Sequence, residues 1–221
     1  MYTDPTGNLY NPIYNTDGIY LGDTKEGFTG APLIYEGKSK VEWSKMTAEQ
    51  ASKAYGLTEL QKTDLSAEAF SKIYTQILDK GGFFTSKLMG KAVAVRNGND
   101  MFNNPSENDF ASGSYGIPSK VSVNQQHPSA KDLLTTVENI QNLLGVHELQ
   151  GHGQYQFGTR FNTHHKAFEL QLNHSTWDNT TSNYKAEVLK GYLYHYNREV
   201  PNARSSSEYL KYNNLMNLYK K

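Results

Sequence analysis

The sequence predicts an α+β fold, in which short strands come first and helices dominate the end of the chain. Residues 1–45 are rich in Gly, Asn, Asp, Pro and Tyr and hold short apolar pieces, which is typical of small β-structures with tight turns. From Ser129 onward the apolar residues recur with helical spacing. The length of 221 residues suits one globular domain, or one domain with a small appendage. We therefore expect a β-rich junction region at 1–45 and a main domain at 46–221.

The N-terminal region is predicted to be a small β-meander. Asp17-Gly18 lies between two apolar pieces and is a typical hairpin turn. The apolar pieces that we assign to strands are Leu9-Tyr10, Ile13-Tyr14, Ile19-Tyr20-Leu21 and Leu33-Ile34-Tyr35.

Two helices are predicted after this region. Thr47-Ala48-Glu49-Gln50 has the form of a capping box, and Gly56 is suited to end the helix that it opens. Ser66 opens a second helix, which Gly81-Gly82 ends. The apolar stripe of the second helix consists of Phe70, Ile73, Tyr74, Ile77 and Leu78.

The middle of the chain is predicted to hold two strands, and the end is predicted to be helical. Residues 91–96 and 119–124 alternate around valines, and residues 97–116 between them carry the Asn, Gly and Pro residues of a loop. A helical stripe of Leu133, Val137, Ile140, Leu143 and Leu144 then leads into His147. Further helices are expected at 163–174, 184–197 and 206–219.

The composition excludes several classes of protein. The 22 basic and 22 acidic residues balance, which argues against a protein dedicated to nucleic acid. No stretch approaches the roughly 18 apolar residues of a membrane span, and the first residues lack the basic and apolar regions of a signal peptide. Because cysteine is absent, any bound metal must be held by histidine and carboxylate. Most of the histidines lie between residues 147 and 195.

The segment His147-Glu148-Leu149-Gln150-Gly151-His152 carries the clearest chemical signal. In the usual zinc-protease motif two histidines lie four residues apart on a helix, about 40° from each other around the axis. Here the second histidine is one residue further on, which places it about 140° away on a regular helix. Gly151 permits two geometries that bring His152 back toward His147. Either the extra residue forms a π-bulge, or the helix ends at Gly151 and His152 turns in from a non-helical segment.

This string matches the H-E-x-x-G-H variant of the dipeptidyl peptidase III family, in which zinc is bound, and the match is confined to the motif. A broader resemblance is to the C-terminal toxin regions of Rhs-repeat polymorphic toxins. Asp4-Pro5-Thr6-Gly7-Asn8 resembles the junction with the Rhs core, and residues 14–22 are similar to the start of such an effector. The stretch from Val146 through residues 163–168 to Thr181 resembles their zincin-type module.

The resemblance implies a zincin-like fold and a zinc metallopeptidase, delivered as the toxic module of a larger exported protein. Its partners would be a peptide or protein substrate and a cognate immunity protein that covers the cleft around residues 147–165. Residues 119–124 would be an edge strand along which a peptide lies. Glu148 would take a proton from the attacking water and pass it to the leaving amine.

A catalytic zinc needs a third protein ligand beside His147 and His152. The candidates are His164, His165, Glu169 and His174. We expect His164, because it shares a helix face with Ala167, Phe168 and Gln171 and because the resembling modules keep a histidine there; Glu169 is the second choice. The groups available to stabilise an oxyanion are Tyr155, His165, His174 and His195.

Several of these residues also have purely structural interpretations. His127 precedes a proline near a helix start, and we expect it to be structural. For His174 and His195, hydrogen-bonded packing is favoured over a ligand role. If the His-Glu string itself were incidental, the chain would be a non-enzymatic binding or structural module, whose Asn- and Tyr-rich loops suit polar ligands such as glycans.

Overall fold

The computed structural model describes residues 11–25, 27–84, 89–96, 111–114, 119–158 and 163–220. Two small sheets and two helices lie between residues 12 and 124, and the described residues from 128 onward form helices, so the α+β prediction is confirmed. Leu9-Tyr10 and Asp4-Pro5-Thr6-Gly7-Asn8 lie outside the described residues. Among the described helices, none is long and apolar enough to cross a bilayer.

The first sheet has four strands in the order β2-β1-β3-β4. Their bounds are β1 Pro12–Asn15, β2 Tyr20–Asp23, β3 Leu33–Tyr35 and β4 Thr58–Glu59. The hairpin at Asp17-Gly18 is confirmed, because β1 and β2 pair antiparallel. Gly18 has a φ of +76°, and a Cβ there would lie 2.4 Å from the carbonyl oxygen of Ala69, so the turn packs directly on a helix.

The predicted meander is wrong at its third strand. β3 pairs parallel with β1, with Ile13 opposite Leu33, on the side of β1 away from β2. All three residues of β3 are buried, whereas β2 is partly exposed at the sheet edge. A central place next to β1 therefore buries more apolar surface than a place beyond β2 would. The fourth strand, β4, lies after residue 45 and completes this sheet. The division of the chain into two regions at residue 45 stays a prediction.

The second sheet has the order β5-β7-β6, with β5 Met89–Arg96, β6 Ala111–Ser114 and β7 Ser119–Asn124. The two predicted strands are confirmed, but β6 lies inside the predicted loop 97–116. Its Ala-Ser-Gly-Ser sequence has no β-branched or aromatic residue to mark a strand. The other residues of that loop lie outside the described ranges. β7 lies between a parallel and an antiparallel neighbour, so the expectation that 119–124 is an edge strand is wrong.

The first two helices agree closely with their predicted signals. Helix α1 (Ala48–Tyr55) begins with the Thr47–Gln50 capping box, and Gly56 ends it with a φ of +65°. Helix α2 (Ala67–Lys80) is capped by Ser66. Its whole predicted apolar stripe is buried, where it packs beneath both sheets in the main core.

The predicted helix from Ser129 is divided in two. His127 caps α3 (Pro128–Leu133), which bears out its structural role, and the chain then breaks before α4 (Val137–Ile140). The break arises because the hydroxyl of Thr136 accepts a hydrogen bond from the backbone N–H of Asn139 and so starts a new helix. Helix α4 continues without interruption into a π-helix, Gln141–Gln154.

The ends of the last three helices lie within two residues of their predicted positions. The helices are α5 His164–Asn173, α6 Ser182–Glu199 and α7 Ser207–Tyr219. They pack in sequence, with α5 against the π-helix, α6 against α5 and α7 against α6. The second sheet also contacts the π-helix. The π-helix therefore packs against both the sheet and α5, and it carries the His-Glu segment.

Candidate metal centre

The π-helix resolves the five-residue spacing of the two motif histidines. In this helix type the hydrogen bonds join residues five apart, as when the Tyr155 N–H donates to the Gln150 carbonyl at 2.8 Å. Residues five apart then lie over each other on one side, and the Nε2 atoms of His147 and His152 are 3.1 Å apart. Of the two geometries that the sequence allowed, the structure has the π-type helix. The π-geometry extends beyond a single bulge over 14 residues.

Gly151 brings the π-helix close to α5. A Cβ at Gly151 would lie 2.9 Å from the Cβ of Ala167, closer than side chains pack. The absence of a side chain therefore permits the contact that places the first turn of α5 against the motif. His164, the first residue of α5, has its Nε2 3.1 Å from the Nε2 of His147.

One ring nitrogen from each of His147, His152 and His164 lies within 4.8 Å of the other two. Neighbouring ligand nitrogens around a tetrahedral zinc are about 3.3 Å apart for Zn–N bonds of about 2.05 Å, so the 3.1 Å separations fit such an ion. Within the described ranges this is the group that could hold a metal. We call it the three-histidine cluster.

The surroundings of His147 and His164 favour uncharged rings, which are the form that binds metals. His147 is 4% exposed, and burial, assisted by the neighbouring His152 and His164, holds its pKa well below the ordinary range. Burial, together with the charges of His152 and His195, lowers the pKa of His164 to about 3. A cation beside the rings of His147 and His164 would therefore meet uncharged imidazole groups.

The turn after the π-helix fixes the ring of His152. Its Nδ1 faces the carbonyl oxygen of Phe157, which can only accept a hydrogen bond, so Nδ1 carries a hydrogen, and in the neutral ring Nε2 is the nitrogen with the lone pair. Gly158 has a φ of +84°, and a Cβ there would lie 3.2 Å from Cε1 of His152. The turn thus closes over the ring.

His147 is held on its other side by α5. Its Nδ1 is 2.7 Å from Oε1 of Gln171, and the Phe168 ring lies at a centroid distance of 4.5 Å. The helix face that His164 shares with Ala167, Phe168 and Gln171 therefore does contact the motif, as the spacing predicted.

Glu148 follows His147 on the π-helix and is 5% exposed. Its carboxylate lies close enough to Tyr184 for its charge to act on that hydroxyl. Burial raises the pKa of Tyr184, and Glu148 raises it further. The predicted base is therefore a buried residue on the same helix as His147 and His152.

The other ligand candidates lie elsewhere. His165 is turned toward Glu199, with Nδ1 2.7 Å from its Oε2. Glu169 is about 140° around α5 from His164, where its charge contributes to the raised pKa of Tyr192 after burial and Glu208. His174 hydrogen-bonds to the Thr176 hydroxyl and packs against the Phe83 ring in a tilted arrangement, which agrees with a packing role. Among the residues that the structure describes, none of the three joins the cluster.

Sequence reasoning missed two polar contacts of the cluster, one made by Gln171 and one made by the pair of His195 with Glu199. The ring centroids of His195 and His164 are 3.9 Å apart, and Nδ1 of His195 is 3.1 Å from Oε1 of Glu199. Glu199 is itself anchored by the backbone N–H of His165. The only signal for this pair was the four-residue spacing of His195 and Glu199, which puts them on one face of a helix.

Comparison of the chain with protein-family models, with curated proteins and with solved structures finds no match. The likeness of its motif to dipeptidyl peptidase III, and of longer stretches to Rhs toxin modules, is therefore a basis for proposals only. A function for this chain has to follow from its own residues.

Proposed function

We propose that this chain is a zinc-dependent hydrolase with a zincin-like fold, and that it cleaves peptide bonds. One observation carries the proposal: the Nε2 atoms of three histidines from two helices converge while Glu148, adjacent to one of them, is buried. The second sheet, the π-helix against it and α5 beyond are consistent with a zincin-like arrangement. Buried polar groups are ordinarily satisfied, and two ring nitrogens that both present lone pairs cannot hydrogen-bond to each other, so a shared cation would satisfy them.

His147, His152 and His164 would hold the metal. Imidazole ligands without thiolate suit zinc and several transition metals, and the resemblance of the motif favours zinc. When bound, zinc would polarise a carbonyl group and make a water molecule more acidic. Three protein ligands leave the open position that a catalytic site requires, whereas structural zinc sites have four.

Glu148 would act as the general base and then as the general acid. Its carboxylate would accept the proton that the attacking water loses as its oxygen bonds to the carbonyl carbon. The same proton would pass to the leaving nitrogen when the C–N bond breaks, so that a carboxylic acid and an amine are released. Glu148 ends the cycle ionised, as it began.

Of the four candidates for stabilising the oxyanion, His195 is the best placed to contact the reacting carbonyl group. It touches the ring of His164, and Glu199 fixes its orientation. His165 is occupied by Glu199, His174 packs near Phe83, and Tyr155 is exposed and stacked on Phe157. We therefore assign the substrate contact to His195.

In the cell, we propose that the chain is the toxic effector module of a larger exported Rhs-type protein. This part of the proposal rests on the resemblance of its N-terminal and motif regions to such toxins. A cognate immunity protein would then cover the cleft around residues 147–165.

Glu148→Gln tests the hydrolase proposal. The variant keeps the side-chain size and all three histidines, so it should retain zinc and lose peptide hydrolysis and toxicity. Glu169→Gln is the matched control, because it removes a carboxylate on the adjacent helix that lies away from the cluster. If Glu148→Gln remained as active or as toxic as the unmodified chain, the alternative would stand: a non-enzymatic module that binds a polar ligand such as a glycan.

A further inference from the structure

Gln171 is a buried amide in direct contact with the proposed metal site. It is 0% exposed, and its Oε1 lies 2.7 Å from Nδ1 of His147. A glutamine side chain can present either its oxygen or its NH₂ group to a neighbour, and a neutral histidine can carry its hydrogen on either nitrogen. The pair therefore has two hydrogen-bonded states, which leave opposite nitrogens of His147 with the lone pair.

Asn142 decides between these two states. Its Nδ2 lies 3.1 Å from the backbone carbonyl oxygen of Gln171, which can only accept a hydrogen bond. The NH₂ group of Asn142 must therefore point to that carbonyl, and it also donates to the Thr176 hydroxyl at 2.9 Å. As a result, Oδ1 of Asn142 must face the other way, toward Tyr184 and the side chain of Gln171.

The amide of Gln171 is then fixed by its two partners. Its Nε2 lies 3.1 Å from Oδ1 of Asn142 and 2.8 Å from the hydroxyl of Tyr184, which donates its own hydrogen to Asn142 at 3.0 Å. Both hydrogens of Nε2 are thereby used, and Oε1 is left facing His147. Since that oxygen can only accept, Nδ1 of His147 must carry the hydrogen.

We propose that Gln171 is a positioning residue that holds His147 in the tautomer whose Nε2 lone pair faces the three-histidine cluster, and that Asn142 and Tyr184 fix the orientation of Gln171. The proposal rests on the metal site proposed above. The chain of hydrogen bonds runs from the backbone carbonyl of Gln171 to the metal-facing ring of His147 through side chains that are fully buried. Outer partners of this kind set both the orientation of a ligand and its affinity for the metal.

Two substitutions of Gln171 in the full chain separate positioning from packing. Gln171→Met and Gln171→Glu both remove the hydrogen bonds that Nε2 donates to Asn142 and Tyr184. Only Gln171→Glu keeps an acceptor for Nδ1 of His147. We expect zinc affinity, measured by competition with a chromophoric chelator, to fall about 10- to 100-fold in Gln171→Met and to stay equal or rise in Gln171→Glu.

A proton–nitrogen correlation spectrum of the histidine rings in the zinc-free chain provides the second measurement. His147 should be protonated at Nδ1 in the unmodified chain and in Gln171→Glu, and should populate both tautomers in Gln171→Met. A chain that binds no zinc but shows these spectra would contradict the hydrolase proposal and leave the role of Gln171 intact.

Where the unmodified chain binds zinc, equal affinity in Gln171→Met, or an equal loss in both variants, would overturn the positioning role. If Gln171→Met did not fold, Gln171→Glu alone would decide. Affinity at or above that of the unmodified chain supports the role, and a tenfold loss contradicts it.

Discussion

Replacing Gly151 by Ala should weaken metal binding more than it weakens the fold. The new Cβ would lie 2.9 Å from the Cβ of Ala167, whereas carbon atoms in contact are about 3.5–4.0 Å apart. Overpacking of this kind costs about 1–3 kcal/mol in the free energy of unfolding. Alanine is favoured over glycine in a helix by about 0.8–1.0 kcal/mol, so the net destabilisation should stay below about 2 kcal/mol.

The same clash acts directly on the cluster. To relieve it, α5 must move away from the π-helix by about 0.6–1 Å, and α5 carries His164. The Nε2 atoms of His147 and His164 are 3.1 Å apart, and a metal site tolerates deviations of only about 0.2 Å in its ligand distances. We therefore expect zinc affinity to fall at least about tenfold.

Two measurements on each variant test this prediction. Chelator competition gives the zinc affinity, and thermal unfolding of the zinc-free chain gives the stability. The matched control is the double variant Gly151→Ala with Ala167→Gly, which removes the atom that the new Cβ meets and should restore most of the affinity. A folded Gly151→Ala chain that binds zinc as tightly as the unmodified chain would refute the role assigned to this helix contact.

Three further outcomes are expected. His164→Ala should lose zinc while Glu169→Ala keeps it; the reverse result would transfer the ligand role to Glu169. His195→Ala should keep zinc but lower the turnover number on a peptide substrate, and an unchanged turnover number would remove His195 from the substrate contact. Burial raises the pKa of Glu138, whose carboxylate accepts from the Gly30 N–H, above its ordinary value of 4.5. The stability that this group contributes is therefore present below its unfolded pKa and is lost as pH rises through the folded pKa. Accordingly, the melting temperature of Glu138→Gln relative to the unmodified chain should rise from about pH 4 to pH 7, and a constant difference would contradict this.

Local signals were sufficient to predict much of the fold. Capping and end signals such as those at Thr47, Gly56 and Ser66 act within one helical turn, so the residues that form them are all visible in a short stretch of sequence. The same holds for the hairpin at Asp17-Gly18. His164 could be selected as the cluster member because residues three, four and seven positions apart share a helix face.

Features that depend on distant parts of the chain could not be predicted in this way. The parallel pairing of Ile13 with Leu33 depends on which strand order buries the most apolar surface. The residues of either strand alone do not determine that order. The sequence indicated one irregular turn near Gly151 but not a π-helix of 14 residues, because its packing against the second sheet and α5 is a tertiary effect. The polar partners Gln171 and Glu199 were not assigned a role for the same reason, since their contacts cross between helices.

The central claim is that the three-histidine cluster binds zinc. Its most direct test is elemental analysis of the purified chain after equilibration with zinc and desalting, beside His147→Ala and His152→Ala. We predict one zinc ion per chain in the unmodified protein and a loss of zinc in both variants. Zinc-free unmodified protein, or equal zinc content in all three, would contradict the claim.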